Sequence, residues 1–395
     1  MFASILRAYK GIPGSIWSLL FIQFLMNAGH FMAIPLLAVH LNSNLQLGAS
    51  ALGTVLTVHL LSARLLPGIS GPLVDYMGPR GLMIIGLLCR AFGLIGVVFL
   101  DFFWGLCFMA FLMGAGTSLY ESSVYGVFGR QSKALTARVF VLNNQALNAG
   151  VVLGPVIGSA LALFSTDYAF LSSGLVFGAL TLWVLRLRFD EKLDFKNVPV
   201  LQSIRTVVAD RTFLVFFVAT LPWWFLFTQL YVVFPIYITD ISGSIAYTGS
   251  LYVVNGIVGL AAMFFSIVIF EKVPSRKIMR WSYLALAVIY LMVPLSNFVW
   301  WFLVVVGLYT IAETFILPAI ETVTAELATS GSQSTYFGAA SLAWALSGSI
   351  GNYLGSWLVL EADSTAMWWV FSGVAFVGLA FSLCLGRQKV QAKLA

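Results

Sequence analysis

The stretch Gly71-Pro-Leu-Val-Asp75-Tyr-Met-Gly78-Pro-Arg80 is a short polar passage between two long apolar runs. Residues 49–71 and 81–100 carry one charge each, Arg64 and Arg90. Each run has the roughly 20 residues that a helix needs to cross about 30 Å of hydrocarbon. In the passage between them, Gly71 allows close helix approach and Gly78 permits a tight turn. Asp75 and Arg80 set opposite charges at its two ends, in position for a latch with a base such as Arg130 at the end of a later run.

Working outward, the same pattern fills the chain. Of 395 residues, 60% are hydrophobic and 9% charged, against about 25% charged in soluble domains. That composition excludes a soluble enzyme, a nucleic-acid-binding domain and a secreted disulfide scaffold. Twelve spans are predicted, over 16–39, 49–71, 81–100, 102–128, 138–163, 167–187, 211–239, 245–270, 277–296, 299–325, 335–360 and 366–386. Runs of this length in lipid are helices rather than barrel strands. The one long connection, 188–210, holds Asp190, Glu191, Lys192, Asp194, Lys196 and Arg205 and divides the chain into an N-terminal bundle, 1–187, and a C-terminal bundle, 211–395. No cleavable signal peptide is read at the first run, and Cys89, Cys107 and Cys384 read as small buried hydrophobes without metal-ligand spacing.

The net charge of +6 is explained by topology. Nineteen of the 21 Lys and Arg, among them Arg7, Lys10, Arg80, Arg130, Lys133, Arg138, Lys272, Arg276, Arg387 and Lys393, lie at the termini or in the loops after even-numbered spans. The loops after odd-numbered spans hold acids instead: Asp101, Asp167, Asp240, Glu361 and Asp363. By the positive-inside rule both termini are expected to be cytoplasmic, in the inner membrane. The halves also echo each other. Asp75 to Arg80 after span 2 matches Glu271-Lys-Val-Pro-Ser-Arg276 after span 8, and Arg138-Val-Phe140 matches Thr335-Tyr-Phe337. Such a six-plus-six duplication is how many transporters place a site between two repeats.

With Gly71, Asp75, Gly78 and Arg80 at their spacing, the loop between spans 2 and 3 resembles the signature of the major facilitator superfamily. In span 5, Gly150-Val-Val-Leu-Gly154-Pro155-Val-Ile-Gly158 resembles the motif of its antiporter branches. Physically, three glycines four apart make one smooth face, and Pro155 removes a backbone hydrogen bond. A closer resemblance, to multidrug exporters of the MdtH type, rests on Asp210-Arg211, Trp223-Trp224, Gln229, Pro235, Pro318-Ala-Ile-Glu321, Tyr336-Phe-Gly338, Arg90 and Leu119-Tyr-Glu121. It implies an all-α fold of twelve transmembrane helices in two pseudo-symmetric bundles, with spans 1, 4, 7 and 10 around a central cavity. It also implies efflux of amphipathic, drug-like compounds by proton antiport. Two departures stand out: the fourth span, Ala110 to Gly116, lacks the arginine common in drug antiporters, and the first has Gln23, Asn27 and His30 where an acid is expected.

Charges inside spans are costly, at least ~2.5–3.5 kcal/mol each, and mark partners or pathways. Glu313 and Arg90 fall near mid-membrane, with Glu121 about 9 Å and Glu321 about 12 Å toward the cytoplasm. Glu121, Glu313, Glu321 and His30 are therefore the proton-coupling candidates. Arg90 is a candidate for an ion pair or a substrate anion, Arg64 for the latch, His59 for a relay, and Glu326 for a solvated boundary acid. Substrate contacts are assigned to Gln23, Asn27, Tyr120, Tyr125, Asn144, Asn148, Trp223, Trp224, Phe227, Gln229, Tyr231, Asn255 and Tyr309, an aromatic-rich set suited to amphipathic cations. Asp75, Arg80, Arg130, Arg138, Glu271 and Arg276 complete the gate. No phosphate-binding loop, HExxH or Cys/His cluster is present, so no enzyme activity, cofactor or metal is expected beyond protons as the coupling ion. The expected partners are a small organic substrate, protons and the bilayer, with the chain acting as a monomer. A dedicated exporter of one metabolite such as a siderophore, a lipid flippase and a non-transporting receptor are the alternatives.

Overall fold

The computed structural model describes residues 11–41, 49–187, 198–244, 247–361 and 364–391. Arg7, Lys10, Asp190, Glu191, Lys192, Asp194, Lys196, Asp363 and Lys393 lie outside the described residues. All regular structure among the described residues is helical. In chain order the helices are α1 Gly14–Val39, α2 Ala49–Leu65, α3 Pro67–Met77, α4 Pro79–Phe99, α5 Phe103–Gly129, α6 Lys133–Ala162, α7 Thr166–Arg186, α8 Val200–Ala209, α9 Arg211–Gln229, α10 Val233–Ser242, α11 Thr248–Lys272, α12 Ser275–Met292, α13 Val299–Leu327, α14 Gln333–Glu361 and α15 Ser364–Gln391.

Ten helical segments of the described residues are long and apolar enough to cross a membrane, and α2 with α3 makes an eleventh, bent by 46°. The remaining predicted span, the eleventh, is α14, with 29 residues, about 44 Å of helix. It is richer in Ser and Gly than the others. Two predicted spans are broken. Span 2 bends at Leu66, where Pro67 starts a new helix and cannot donate to the turn before it. Span 7 breaks between Gln229 and Val233, so the apolar run 211–239 is two helices, α9 and α10. Within the predicted linker 188–210, residues 200–209 form the short helix α8.

Chain contacts define two compact units. One is Lys10–Val207 together with Ala328–Leu342. In it α4 packs on α5 and α7, α1 on α6 and α7, and α2 on α5. The other is built mainly from Val208–Leu327 and Ala343–Ala395, with α12 on α13 and α15, α9 on α15, and α11 on α13. Four of these pairings recur at equivalent places: span 3 on 4 as 9 on 10, 3 on 6 as 9 on 12, 2 on 4 as 8 on 10, and 1 on 6 as 7 on 12. Single contacts repeat as well. Arg80 donates to the carbonyl of Leu185 at the end of α7, and Arg276 Nη1 donates to Leu385 O on α15 at 3.4 Å.

The glycine row of α6 seats α1 in the first unit. A β-carbon at Gly150 would stand 2.7 Å from Phe24 O, and one at Gly154 2.8 Å from Phe31 Cβ. At Gly158 it would run into the backbone of Met32. Only hydrogen fits there, so the two backbones meet along three successive turns.

Candidate functional site

Three groups of polar side chains stand out, two in the first unit and one in the second. The first surrounds Asp75, near the end of α3, which is 1% exposed. Arg130 Nη2, just past α5, donates to Asp75 Oδ1 at 2.7 Å. The backbone N–H groups of Ser334 and Thr335 donate to Oδ1 and Oδ2 at 3.1 and 2.8 Å, and Thr335 Oγ1 donates to Oδ2 at 2.6 Å. A helix start leaves its first N–H groups without intrahelical acceptors and carries partial positive charge. Asp75 therefore serves as the anion at the N-terminus of α14. Gly71 makes this possible, because a β-carbon there would stand 3.0 Å from Thr335 Cα. Gly78, at φ +86°, turns the chain from α3 into α4.

Of the expected latch residues, Asp75 and Arg130 meet. Arg80 is engaged elsewhere, at the end of α7. Arg138 is half-buried in α6, and Glu271 is exposed at the end of α11. In the second unit Arg276 Nε pairs with Glu326 Oε2 at 3.7 Å, with the glutamate 38% exposed. The first unit thus sets a base at the end of span 4, and the second sets an acid at the end of span 10.

The second group lies within the helices of the first unit. Gln23 Nε2 on α1 donates to Asn143 Oδ1 on α6 at 2.7 Å. Asn143 Nδ2 reaches Tyr125 OH at 3.4 Å, and Asn27 Nδ2 donates to Leu147 O. Asn144 and Asn148 turn back onto the carbonyls of Phe140 and Asn144 in their own helix. Asn143, one position over, links α6 to Gln23 of α1 and Tyr125 of α5. Tyr125 stacks on Phe140, with ring centroids 5.9 Å apart. Tyr120 is wholly buried, and among the described residues its hydroxyl meets no hydrogen-bond partner.

Arg90 is 2% exposed. Nη1 donates to Thr117 Oγ1 at 2.8 Å, Nη2 meets His30 Nδ1 at 2.7 Å, and the guanidinium carbon lies 4.3 Å from the Phe177 ring centroid. A guanidinium only donates, so His30 Nδ1 accepts and the imidazole proton sits on Nε2. Among the described residues, no carboxylate lies within 4.0 Å of Arg90. His59 faces His30, ring centroids 6.4 Å apart. Arg64 Nη1 pairs with Glu121 Oε2 at 3.8 Å, both side chains partly open, at 24% and 30%. Ser70, Ser118 and Ser122 form a buried hydroxyl cluster, with Oγ separations of 2.7 and 2.8 Å from Ser70. Sequence reading passed over it, although Ser118 and Ser122 stand one turn apart.

The third group is in the second unit. Asn255 Nδ2 on α11 donates to Glu313 Oε2 at 2.9 Å and to Thr310 Oγ1 at 3.0 Å. Among the described residues, no Lys, Arg or His stands within 4.0 Å of Glu313. On α9, Trp224 stacks on Trp344 of α14, centroids 5.1 Å apart and planes 16° apart, and Phe227 sets its edge to both rings. Tyr231 and Tyr252 stack at 6.2 Å and stay half open. Trp344 and Thr310 were not anticipated. Trp223 and Tyr309 are wholly buried and stack at 6.4 Å in the packed interior. Gln229 is buried too, donating to Phe225 O and Gly351 O and so tying α9 to α14. Glu321 is half-buried, one turn beyond Pro318.

Ten or eleven helical segments apolar enough to cross a membrane among the described residues, a repeated bundle and isolated polar groups inside the spans define a polytopic membrane transporter. The model of the Major Facilitator Superfamily matches residues 19–352, and the chain belongs to that family. It is a transporter and not an enzyme. Multidrug resistance protein MdtH of Salmonella schwarzengrund (strain CVM19633) is 25% identical over 377 residues, 94% of this chain and 93% of that one. MdtH of Salmonella newport (strain SL254) matches over the same extent. Among solved structures, the human organic anion transporter MFSD10 (TETRAN) superposes with a TM-score of 0.78 at 15% identity, covering 94% of this chain and 100% of that one. A bacterial homologue of the iron transporter ferroportin in an outward-facing state gives 0.78 at 15%, covering 95% and 100%. The E. coli fucose:proton symporter FucP gives 0.79 at 11%, covering 94% and 98%. At these identities the solved structures share the fold alone.

Proposed function

We propose that this transporter exports amphipathic, preferentially cationic organic compounds in exchange for protons, by alternating access of its two halves, from a cell's inner membrane with both termini in the cytoplasm. The observation that carries the reading is Glu313. Its carboxyl is held by one neutral amide, has no basic neighbour within 4.0 Å among the described residues, and belongs to the same unit as the Trp224, Phe227 and Trp344 rings. An ion without a counter-ion is costly in hydrocarbon. A proton or an organic cation each removes that cost, so the two compete for one carboxylate. The ring faces favour cations as well. Glu121 is the second candidate, because its pairing with Arg64 at 3.8 Å is open to exchange with a proton. The names of the MdtH relatives support an organic, drug-like substrate.

The test uses purified protein in vesicles loaded with a pH-sensitive dye and presented with tetraphenylphosphonium. Wild type should move protons against the cation. Glu313→Gln should lose that proton movement while still exchanging labelled for unlabelled cation. Cation efflux in wild type that ignores the proton gradient would defeat the antiport reading. Unchanged proton movement in Glu313→Gln would transfer the role to Glu121.

A further inference from the structure

The helix α8, Val200-Leu-Gln-Ser-Ile-Arg-Thr-Val-Val-Ala209, belongs to no membrane-crossing segment. It has two unlike faces. Ser203 and Val207 are buried, and Ser203 Oγ lies 3.4 Å from Ser332 Oγ just before α14. About 110° around the helix from that pair, Leu201, Ile204 and Val208 are exposed by 78%, 38% and 64%. At about 100° per residue these three fall within about 60° of one another, a single stripe. Arg205 is exposed beside it, and Gln202 and Thr206 lie on the flank between the two faces.

We infer that α8 is a membrane-surface helix, with Leu201, Ile204 and Val208 dipping into the interfacial layer and Arg205 and Arg211 meeting anionic lipid phosphates. The chain itself restricts what covers this stripe. Asp210 is the sole residue between α8 and the spanning helix α9, and it caps α9 by accepting from Phe213 N at 3.0 Å. The C-terminal end of α8 is thus tethered at the edge of the bilayer. The helix that follows in the chain, α9, is itself a membrane-crossing segment with exposed apolar residues at Leu214 and Val218. The charges are complementary to anionic lipid, because Arg186 at the end of α7, Arg205 and Arg211 are all exposed. A short helix with an apolar stripe, flanked by arginines, is the form that lies in the interfacial plane.

The experiment places single spin labels at positions 201, 202, 204, 206 and 208 of the full chain, with Cys89, Cys107 and Cys384 replaced by serine. The protein is reconstituted in phosphatidylcholine vesicles containing one quarter phosphatidylglycerol. If α8 lies on the bilayer, the ratio of oxygen to nickel-chelate accessibility at 201, 204 and 208 should exceed that at 202 and 206 by about threefold or more. Omitting phosphatidylglycerol should reduce the contrast, and Arg205→Gln should reduce it in the anionic vesicles. Equal nickel access at all five positions would overturn the proposal in favour of a water-exposed stripe. Exclusion of both reagents at 201, 204 and 208, with dipolar broadening between labels, would overturn it in favour of a second copy. Contrast that ignores both lipid charge and Arg205→Gln would refute the phosphate contact.

Discussion

Replacing Asp75 by Asn tests whether the carboxylate, and not mere packing, holds the start of α14. The wild-type carboxyl accepts four hydrogen bonds, one of them from the Arg130 guanidinium at 2.7 Å, in a site from which water is excluded. An asparagine presents one acceptor oxygen and one NH2 to the same four donors, so at least one donor is turned against another. It also removes the carboxylate charge paired with the buried Arg130. Breaking one partner of a buried pair costs about 3–5 kcal/mol, and each ~1.4 kcal/mol is tenfold in an equilibrium constant. Opening of the α14 start should therefore rise by about two to three and a half orders of magnitude. Hydrogen exchange at the amides of Ser334 and Thr335 reads this directly, because those protons have Asp75 as acceptor rather than a turn of their own helix. Thr335→Val removes only a neutral hydroxyl, worth about 0.5–1.5 kcal/mol, and should accelerate exchange by about tenfold at most. Rates in Asp75→Asn within about threefold of wild type, or a larger effect from Thr335→Val, would refute the latch as described.

The seam between α1 and α6 should be intolerant of volume. Gly154→Leu forces its side chain into Phe31 and Met32, at a cost of about 1–3 kcal/mol or more, and should lower the unfolding temperature in detergent where Val156→Leu, on an exposed position of the same helix, does not. At Arg90, Lys should be worse than Met in thermal stability. Both lose the forked contacts to His30 and Thr117, but Lys keeps a buried charge with no acid beside it. Trp344→Ala removes the stack on Trp224 and should weaken binding of tetraphenylphosphonium by about 0.5–1.5 kcal/mol, roughly two- to twelvefold, in an equilibrium binding assay.

The apolar runs and the placement of Lys and Arg made the spans legible, because length and charge sidedness are one-dimensional properties of the chain. Breaks within spans were less so. Pro67 marks the bend after α2 at the bend itself, whereas the interruption after Gln229 lies one turn before its proline, Pro235, which cannot donate to the Tyr231 carbonyl. Rotation about a helix axis was harder still. A row such as Asn144 and Asn148 fixes a spacing but not which neighbour it faces, and Asn143, one residue and about 100° away, is the side chain that meets Gln23 and Tyr125. Asp75 and Arg130 were readable as a pair because both stand at span ends on the same side. The backbone donors of Ser334 and Thr335 were not, since an N–H group has no residue-type signature. Trp344 went unnoticed for a related reason: it lies in a Ser- and Gly-rich span with no aromatic neighbour in sequence to draw attention.

The two mid-membrane charges illustrate why burial alone does not nominate a functional group. Arg90 and Glu313 both lack an opposite charge within 4.0 Å among the described residues, so both carry a desolvation cost. Arg90 offsets that cost with fixed contacts: a hydroxyl, an imidazole nitrogen and a ring face, drawn from α5, α1 and α7. Releasing it would mean parting three helices of one unit. Glu313 has a single amide contact, from Asn255, and that amide also bonds Thr310. Adding a proton or a cation at Glu313 disturbs one side chain. A coupling site must change state in every cycle without unpacking its helices, and by that criterion Glu313 qualifies where Arg90 does not. The same criterion ranks Glu121 second: its ion pair is long and partly open, and releasing it also changes the surroundings of Arg64.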